Sequence, residues 1–191
     1  VYPSGDSSYQ TKAENIKTRL NQSGVPNENI VITTNASIGD PYTNTTTNNS
    51  NLILLGMQSE NNLISELNTN HTEVGMPMYF DASNHLIDDR LNDCWKYADF
   101  HGVVEACDNP FDNDRSKIDN TWRDTGPSVW IASGVTPYYA KKAADVLASS
   151  DLSDKGFWHI IKKCGDADGD GFISVGEAKQ VWKVAGGTPI M

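Results

Sequence analysis

The carboxylates of one acidic segment, residues 166–177, are the side chains whose types and spacing point most directly to a chemistry. The segment reads DADGDGFISVGE and matches the EF-hand pattern D-x-[DN]-x-[DN]-G-x5-E at every constrained position. Calcium is a hard cation that takes roughly six to eight oxygen ligands, which carboxylates at alternate positions of a tight loop can supply. The pattern therefore predicts a calcium site with ligands from Asp166, Asp168, Asp170, Phe172, Ser174 and Glu177.

Each residue of the segment has a distinct expected role. Phe172 provides its main-chain carbonyl, Ser174 a hydroxyl or a bridging water, and Glu177 both carboxylate oxygens, while Gly171 permits the sharp turn. Apolar residues on both sides are spaced as on helices: Phe157, Trp158, Ile160 and Ile161 before, and Ala178, Val181 and Trp182 after. We therefore expect a helix-loop-helix over 151–191, the alternative being an acidic surface turn.

The chain contains a single match to this pattern, whereas EF-hands usually work in pairs. A lone copy favours a structural clamp, a site completed by a neighbouring molecule, or one half of a dockerin-like module over a sensor that opens and closes.

The charge balance restricts the partners. The net charge is −10, and the only basic residues before Arg90 are Lys12, Lys17 and Arg19. Nucleic acids and anionic membranes attract basic surfaces, so neither is an expected partner, and no apolar run is long enough to span a bilayer.

Two features point to an extracellular location. The chain starts at Val1 rather than Met, which suggests removal of a leader. Five N-glycosylation sequons lie in the first 72 residues, although an Asn- and Thr-rich sequence also produces sequons by chance. Their asparagines are Asn21, Asn35, Asn44, Asn48 and Asn70.

The other metal-binding and catalytic residue types form no recognisable motif. Cys94, Cys107 and Cys164 lack metal-ligand spacing; Cys94 and Cys107 either form a disulfide or, like Cys164, are small buried side chains. The carboxylates of Asp81, Asp88, Asp89 and Asp93, or of Asp108, Asp112 and Asp114, form either a second calcium site or solvated loops. Single histidines, which are more often structural than catalytic, stand at His71, His85, His101 and His159.

Hydrophobic patterns predict alternating helices and strands up to residue 150. Predicted helices cover about 7–20, 59–67 and 95–107, and another begins at Thr136-Pro137. Predicted strands cover 29–34, 52–55, 78–80 and 128–132, with Trp130 in the core. Polar loops are expected at 35–51 and 111–127, irregular chain at 81–93, and Trp122 is a candidate contact residue.

This alternation predicts an α/β fold of three layers, in which a mostly parallel sheet carries helices on both faces. The predicted organisation is thus an α/β domain over 1–150 followed by the calcium-binding segment 151–191.

Four segments in order resemble the α/β domain of archaeal S-layer and related cell-surface proteins. They read NLILLGMQSEN at 51–61, GVVEACDNPF at 102–111, SVWIASG at 128–134 and AKKAADVL at 140–147. The resemblance covers roughly residues 51–148. It implies a secreted, glycosylated surface protein that assembles with copies of itself, and calcium loops suit such acidic assemblies.

Three functions follow as hypotheses. The leading one is a structural, self-assembling cell-surface protein, in the form of a filament, tube or S-layer-like lattice, stabilised by calcium. The second is a dockerin-like module that binds a separate partner through its calcium loop. The third, a hydrolase of surface glycans, has the weakest support, because Ser133 does not fit G-x-S-x-G and no phosphate-binding glycine pattern follows Gly56. We therefore expect no enzymatic activity.

Overall fold

The computed structural model describes residues 1–74, 76, 78–88, 95–97, 101–111, 127–149, 158–162 and 181–183. In the described chain the α-helices are α1 (Ser7–Gln22), α2 (Asn35–Ile38), α3 (Thr45–Asn48), α4 (Asn62–Thr69) and α5 (Pro137–Ser149). The strands are β1 (Leu52–Leu55), β2 (Met78–Phe80), β3 (Leu86–Asp88), β4 (Trp95–Tyr97), β5 (His101–Asp108), β6 (Ser128–Gly134), β7 (Trp158–Lys162) and β8 (Val181–Lys183).

The main sheet has five strands in the order β1-β6-β5-β7-β8. Strands β1 and β6 are parallel, whereas β5 pairs antiparallel with both β6 and β7, and β7 pairs antiparallel with β8. The α/β class is confirmed, but the prediction of a mostly parallel sheet is wrong. The cause is the segment predicted as a helix over 95–107, which forms β4 and β5 instead.

Strand β5 explains that error. Its side chains alternate between the two faces of the sheet, since Val103 and Cys107 pack on one side and Val104 on the other. Consecutive β-branched residues favour a strand, and pairing with β6 along seven register positions outweighs the weak helical spacing.

Helices pack on both faces of the sheet. On one face Leu54, Val129 and Ile131 pack against Leu63 and Leu67 of α4. On the other, Leu55, Val104 and Ala132 pack against α1 and α5, and the half-buried Trp130 borders this cluster. The residues that α5 contributes to this cluster are Ala140, Ala143 and Ala144, all fully buried. Their small side chains allow the helix to lie close to the strands.

Two paired glycines allow α5 to touch the sheet. Gly102 of β5 lies opposite Gly134 of β6 in the register. A methyl group on Gly134 would lie 2.5 Å from the amide nitrogen of Ala140, and one on Gly102 would lie 2.7 Å from the carbonyl oxygen of Tyr139. No other residue type fits this close approach of two main chains.

A second sheet, β2-β3-β4, is antiparallel and packs on the main sheet through Met78, Phe80 and Leu86 against Val103 and Val135. The outer edge of β2 carries two main-chain donors that β3 does not use. Side chains accept both: Met78 N donates to Glu105 Oε2 at 3.2 Å, and Phe80 N to Asn68 Oδ1 at 3.2 Å.

The first 51 residues differ from the prediction at two places. The predicted strand 29–34 is absent: 27–29 form a 3-10 helix, Val31 is 68% exposed, and Thr34 makes an isolated parallel bridge to Tyr2. The predicted surface loop 35–51 contains α2 and α3, and Thr47 and Asn48 are buried. Polar groups pack here because hydrogen bonds satisfy them: Thr47 Oγ1 donates to Asn44 O at 2.8 Å, and Asn109 Nδ2 donates to Thr47 O at 2.8 Å and to Ser50 O at 3.1 Å.

Side chains cap the first turns of α1 and α4. Asp6 caps α1 by accepting a hydrogen bond from Ser8 N at 2.9 Å. Asn61 caps α4 and also donates from Nδ2 to Leu55 O at 3.0 Å, which ties the helix start to the end of β1.

The two segments that flank the predicted calcium loop are strands, where helical spacing predicted helices. Ile160 of β7 lies opposite Trp182 of β8, and Val103 of β5 lies opposite Ile160. Aromatic and β-branched residues at 158–161 and 181–182 favour strands, and pairing with β5 favours the extended form over the helix. Residues of the segment 151–191 thus extend the main sheet.

The glycine contact can be tested by a single methyl group. Gly134→Ala should lower the free energy of unfolding by about 2–3 kcal/mol, because the methyl forces α5 away from the sheet. Urea denaturation of the variant beside Asn15→Ala, on the exposed face of α1, provides the measurement; the control should change by less than about 0.5 kcal/mol. Equal midpoints for the two variants would show that α5 moves away from the sheet at no cost.

Candidate functional site

The six predicted calcium ligands, 166–177, lie outside the described residues, as do Cys94, Cys164 and Trp122. The structure does describe the two ends that lead into this segment. Ile161 pairs with Val181, and His159 with Lys183. The chain therefore leaves β7 and returns in β8 at neighbouring points of the sheet.

The main polar cluster of the described chain lies at the edge where the parallel strands β1 and β6 both end. In α/β sheets this edge is the usual position of a binding site. The turn after β1 supplies Gln58, and the turn between β2 and β3 supplies Asp81, Asn84 and His85. Gln58 Nε2 donates to Asp81 O at 2.7 Å, and Asn84 Nδ2 donates to Val135 O, after β6, at 2.6 Å.

A line of side-chain amides connects this edge to α4. Asn68 Nδ2 donates to Gln58 Oε1 at 2.7 Å, and Asn68 O contacts His71 Nδ1 at 2.8 Å. The imidazole of His71 stacks on the ring of Tyr79, with centroids 3.9 Å apart. Each of these groups holds a main-chain segment or a ring in place, so the line acts as a rigid support.

Asp81 and His85 form the acid–imidazole pair of the cluster. Asp81 Oδ1 accepts from Ser83 N at 2.9 Å and from His85 N at 2.8 Å, and Oδ2 lies 3.1 Å from His85 Nδ1. Burial acts to raise the pKa of Asp81, but the hydrogen bonds from His85 and Ser83 outweigh it and lower that pKa. The carboxylate is therefore ionised at neutral pH and orients the imidazole.

Two buried side chains lie behind this turn on the face that β2 covers. Glu105 of β5 and Ser133 of β6 are both fully buried. Glu105 lies opposite Ile131, two residues from Ser133, so both side chains are on the same face of the sheet. Ser133 Oγ and Asn84 Oδ1 have no hydrogen-bond partner within the described part of the chain. Asp81 and His85 have the arrangement of an orienting acid and a base, but Ser133, the hydroxyl of this edge, is enclosed and not presented to a substrate.

A second polar cluster joins α1 to α5 and to the turn after β1. Tyr9 Oη donates to Glu60 Oε2 at 3.0 Å, and Lys141 Nζ lies 2.7 Å from Asp6 Oδ2. Burial and then the charge of Glu60 raise the pKa of Tyr9, while the hydrogen bond from Lys141 lowers the pKa of Asp6 to about 2. One hydrogen bond and one ion pair thus fix the positions of the two helices.

The remaining predicted sites are placed as follows. In the described chain, no group of three or more His, Cys, Asp or Glu side chains converges on a metal-sized site, and most of the alternative aspartates fall outside it. Cys107 is buried in the core beside Val129. The sequon asparagines differ in setting: Asn21 is exposed, Asn48 is buried, and Asn35, Asn44 and Asn70 are half-buried.

Sequence reasoning named Asp81, His85 and Ser133 separately without bringing them to one edge, and it missed Asn84 and Glu105. A usable signal was the sequence DASNH directly after β2, because Asp and Asn are typical of tight turns. Asn84 has φ 63°, the left-handed conformation that asparagine tolerates well. Glu105 carried no such signal, since its partner Met78 N is distant in sequence.

None of the described helices has the length and apolar composition that a membrane crossing requires. Comparison with protein-family models, with curated proteins and with solved structures finds no match to this chain.

The lowered pKa of the Asp81 carboxyl predicts a pH dependence of stability. A carboxyl whose pKa is lowered by folding stabilises the native state above its unfolded pKa of about 3.9, and that contribution is lost as pH falls through the folded pKa. Asp81→Asn should therefore cost about 0.5–1 kcal/mol at pH 7, with a difference from the parent chain that shrinks below about pH 4. Urea denaturation at a series of pH values measures it. A pH-independent difference would assign the effect to the turn geometry and not to the charge.

Proposed function

We propose that this protein is a secreted structural component of a cell surface. It assembles with copies of itself into a filament, tube or S-layer-like lattice, and calcium at 166–177 stabilises it. The observation that carries the proposal is the complete ligand pattern, Asp166, Asp168, Asp170, Phe172, Ser174 and Glu177. The chain acts as a scaffold under this proposal and not as an enzyme.

The strands on either side of the motif favour a structural role for calcium and not a sensor role. A sensor EF-hand works by rotating its two flanking helices. Here the flanking residues form β7 and β8, which pair with each other and, through β7, with β5 in the main sheet. Paired strands cannot rotate apart as two flanking helices do, so calcium bound between β7 and β8 would stabilise one arrangement of the sheet.

The polar groups of the described chain support a scaffold role as well. At the edge of β1 and β6, Gln58, Asn68 and Asn84 use their amides to connect separate main-chain segments. Polar groups held in this way rigidify the fold and are costly to disrupt.

Charge gives calcium a role in assembly. Copies that each carry a net charge of −10 repel one another, and a divalent cation bound to each copy reduces that repulsion. Contacts between unlike surfaces then produce filaments or sheets when the rotation between copies does not close.

The second candidate is a calcium-dependent binding module that docks a separate partner, as one half of a dockerin-like unit. The observation that favours it is the single copy of the motif, which leaves the loop without an internal counterpart. This alternative predicts a monomer that stays monomeric in calcium.

Calcium binding should be measurable as stability. In excess calcium the melting temperature of the parent chain should rise relative to chelator, by the equivalent of about 2.7 kcal/mol when free calcium is about 100 times Kd. Asp166→Ala with Glu177→Ala should remove that rise, because it deletes the first ligand and the bidentate last one. Calorimetry in calcium and in chelator is the measurement.

The matched control is Glu14→Ala with Glu28→Ala, two exposed carboxylates outside the motif. This variant changes the net charge by the same amount, so it should keep the full response to calcium. A parent chain that melts at one temperature with and without chelator would rule out a stabilising calcium site.

Self-assembly can be tested directly by electron microscopy. Negative-stain microscopy of the parent chain in millimolar calcium should show ordered filaments, tubes or sheets that disperse on chelation and that the ligand-deletion variant does not form. Light scattering at the same protein concentrations gives the assembled fraction in solution.

The two candidates predict different outcomes here. A uniform monomer in both conditions, together with a calcium-dependent melting temperature, would favour the binding module. Assemblies that persist in chelator would separate self-assembly from calcium.

A further inference from the structure

The five sequon asparagines have different structural settings. An N-linked glycan is attached to the amide nitrogen Nδ2 and replaces one of its two hydrogens. Whether a sequon can be modified on the folded chain therefore depends on the exposure of Nδ2 and on what it already binds.

Four of the five side chains are built into the fold. Asn48 is only 5% exposed, next to the fully buried Thr47. Asn44 Nδ2 donates to Ile38 O at 2.7 Å, while its Oδ1 accepts from Thr46 N at 2.8 Å as the cap of α3. These two residues hold the polar segment between α2 and β1 together.

Asn35 and Asn70 are both half-buried, and the Nδ2 of each donates hydrogen bonds. Asn35 Nδ2 donates to Glu60 O at 3.0 Å, and its Oδ1 accepts from Ser4 N at 3.0 Å, which links three distant parts of the chain. Asn70 Nδ2 donates to two oxygens of Glu66, at 3.1 and 3.2 Å. A glycan on Asn70 Nδ2 takes one of the hydrogens directed at Glu66, and at Asn35 the transferase must reach a nitrogen that is already bound to Glu60 O in a partly buried bond.

Asn21 has a different setting. It lies in the last turn of α1, and Asn21, Gln22 and Ser23 are all exposed. Its Nδ2 donates to Val25 O at 3.2 Å, a bond at the surface that water can replace. Gly24 follows with φ 97°, so the helix ends within two residues of the sequon asparagine.

We propose that Asn21 is the sequon that accepts an N-linked glycan on the folded chain, and that the other four are structural. The inference depends on the proposed extracellular location for its occurrence in the cell. The donor is a lipid-pyrophosphate-linked oligosaccharide. A bond forms between Asn21 Nδ2 and the sugar C1 as the bond from C1 to the pyrophosphate oxygen breaks. The pyrophosphate leaves with the electron pair, and Nδ2 releases one proton.

Local opening decides the selectivity. The transferase must hold the asparagine and the residue two positions later in an extended form. At Asn21 this requires only fraying of a terminal turn, which costs little. At Asn48 it requires removal of a packed segment from beneath Asn109, so modification there follows a rarer opening of the structure.

The test uses the full folded chain, a purified oligosaccharyltransferase and a lipid-linked oligosaccharide donor. The transferase is chosen because it modifies all five synthetic peptides that each carry one sequon, so sequence preference is removed as a cause. Site occupancy is measured by mass spectrometry of proteolytic peptides after matched reaction times. Occupancy at Asn21 should exceed that at every other sequon by at least about tenfold, corresponding to about 1.4 kcal/mol of opening free energy.

Two variants sharpen the result. Ser23→Ala destroys the sequon but keeps Asn21, and it should abolish glycosylation of the folded chain. Ser50→Ala destroys the sequon of Asn48 and should leave total occupancy unchanged. Modification of Asn48 comparable to Asn21, or no modification of Asn21 in the folded chain, would overturn the proposal. Because the assay supplies enzyme and donor, its result is independent of the calcium and microscopy measurements that test the proposed function.

Discussion

The contact between the first turn of α5 and the glycines Gly102 and Gly134 fixes the positions of the surrounding elements. The two main chains approach within a distance that excludes any side chain at either glycine. This approach places Tyr139 and Val135 against Met78, Phe80 and Leu86, which seats the second sheet on the main one. The turn from Asp81 to His85 is in turn positioned by the bond from Asn84 to Val135 O. Local packing of one helix thus determines the polar edge at the ends of β1 and β6.

Asparagine amides replace secondary structure in the parts of the chain that have little of it. Asn109 bonds to two carbonyls of the segment before β1 and accepts from Phe111 N, and Asn51 accepts from Ser128 N at the start of β6. Asn109 both donates and accepts, so one side chain satisfies several main-chain groups that would otherwise be buried at a cost. This explains how a chain with many polar residues forms a packed domain.

The sequence predicted the elements whose signals are local. Strands β1 and β6 and helices α1, α4 and α5 combine periodic apolar residues with clear caps, and the structure has all of them. Elements that depend on distant pairing were missed: β5 is a strand because β6 and β7 flank it, and residues 30–33 are not a strand because Tyr2 pairs only with Thr34. The same limit applies to Glu105, which accepts from Met78 N across a pairing that no local pattern encodes.

The pairing of β7 with β8 bears on how tightly calcium and the sheet are coupled under the proposed function. Bringing together two strands that are separated by eighteen residues in the sequence costs about 2.6 kcal/mol plus a constant, from the logarithmic dependence on chain length. Ile161 and Val181 are paired without a cation, so calcium bound between the two strands would not have to meet that cost. Linkage is reciprocal. A cation that binds the paired strands more tightly than the unpaired ones stabilises the β7–β8 pairing by the difference between the two binding free energies. Under this proposal calcium would stabilise mainly the edge of the sheet formed by β7 and β8. The face covered by α1 and α5 is stabilised instead by the ion pairs Lys12–Asp145 and Lys141–Asp6 and by apolar packing.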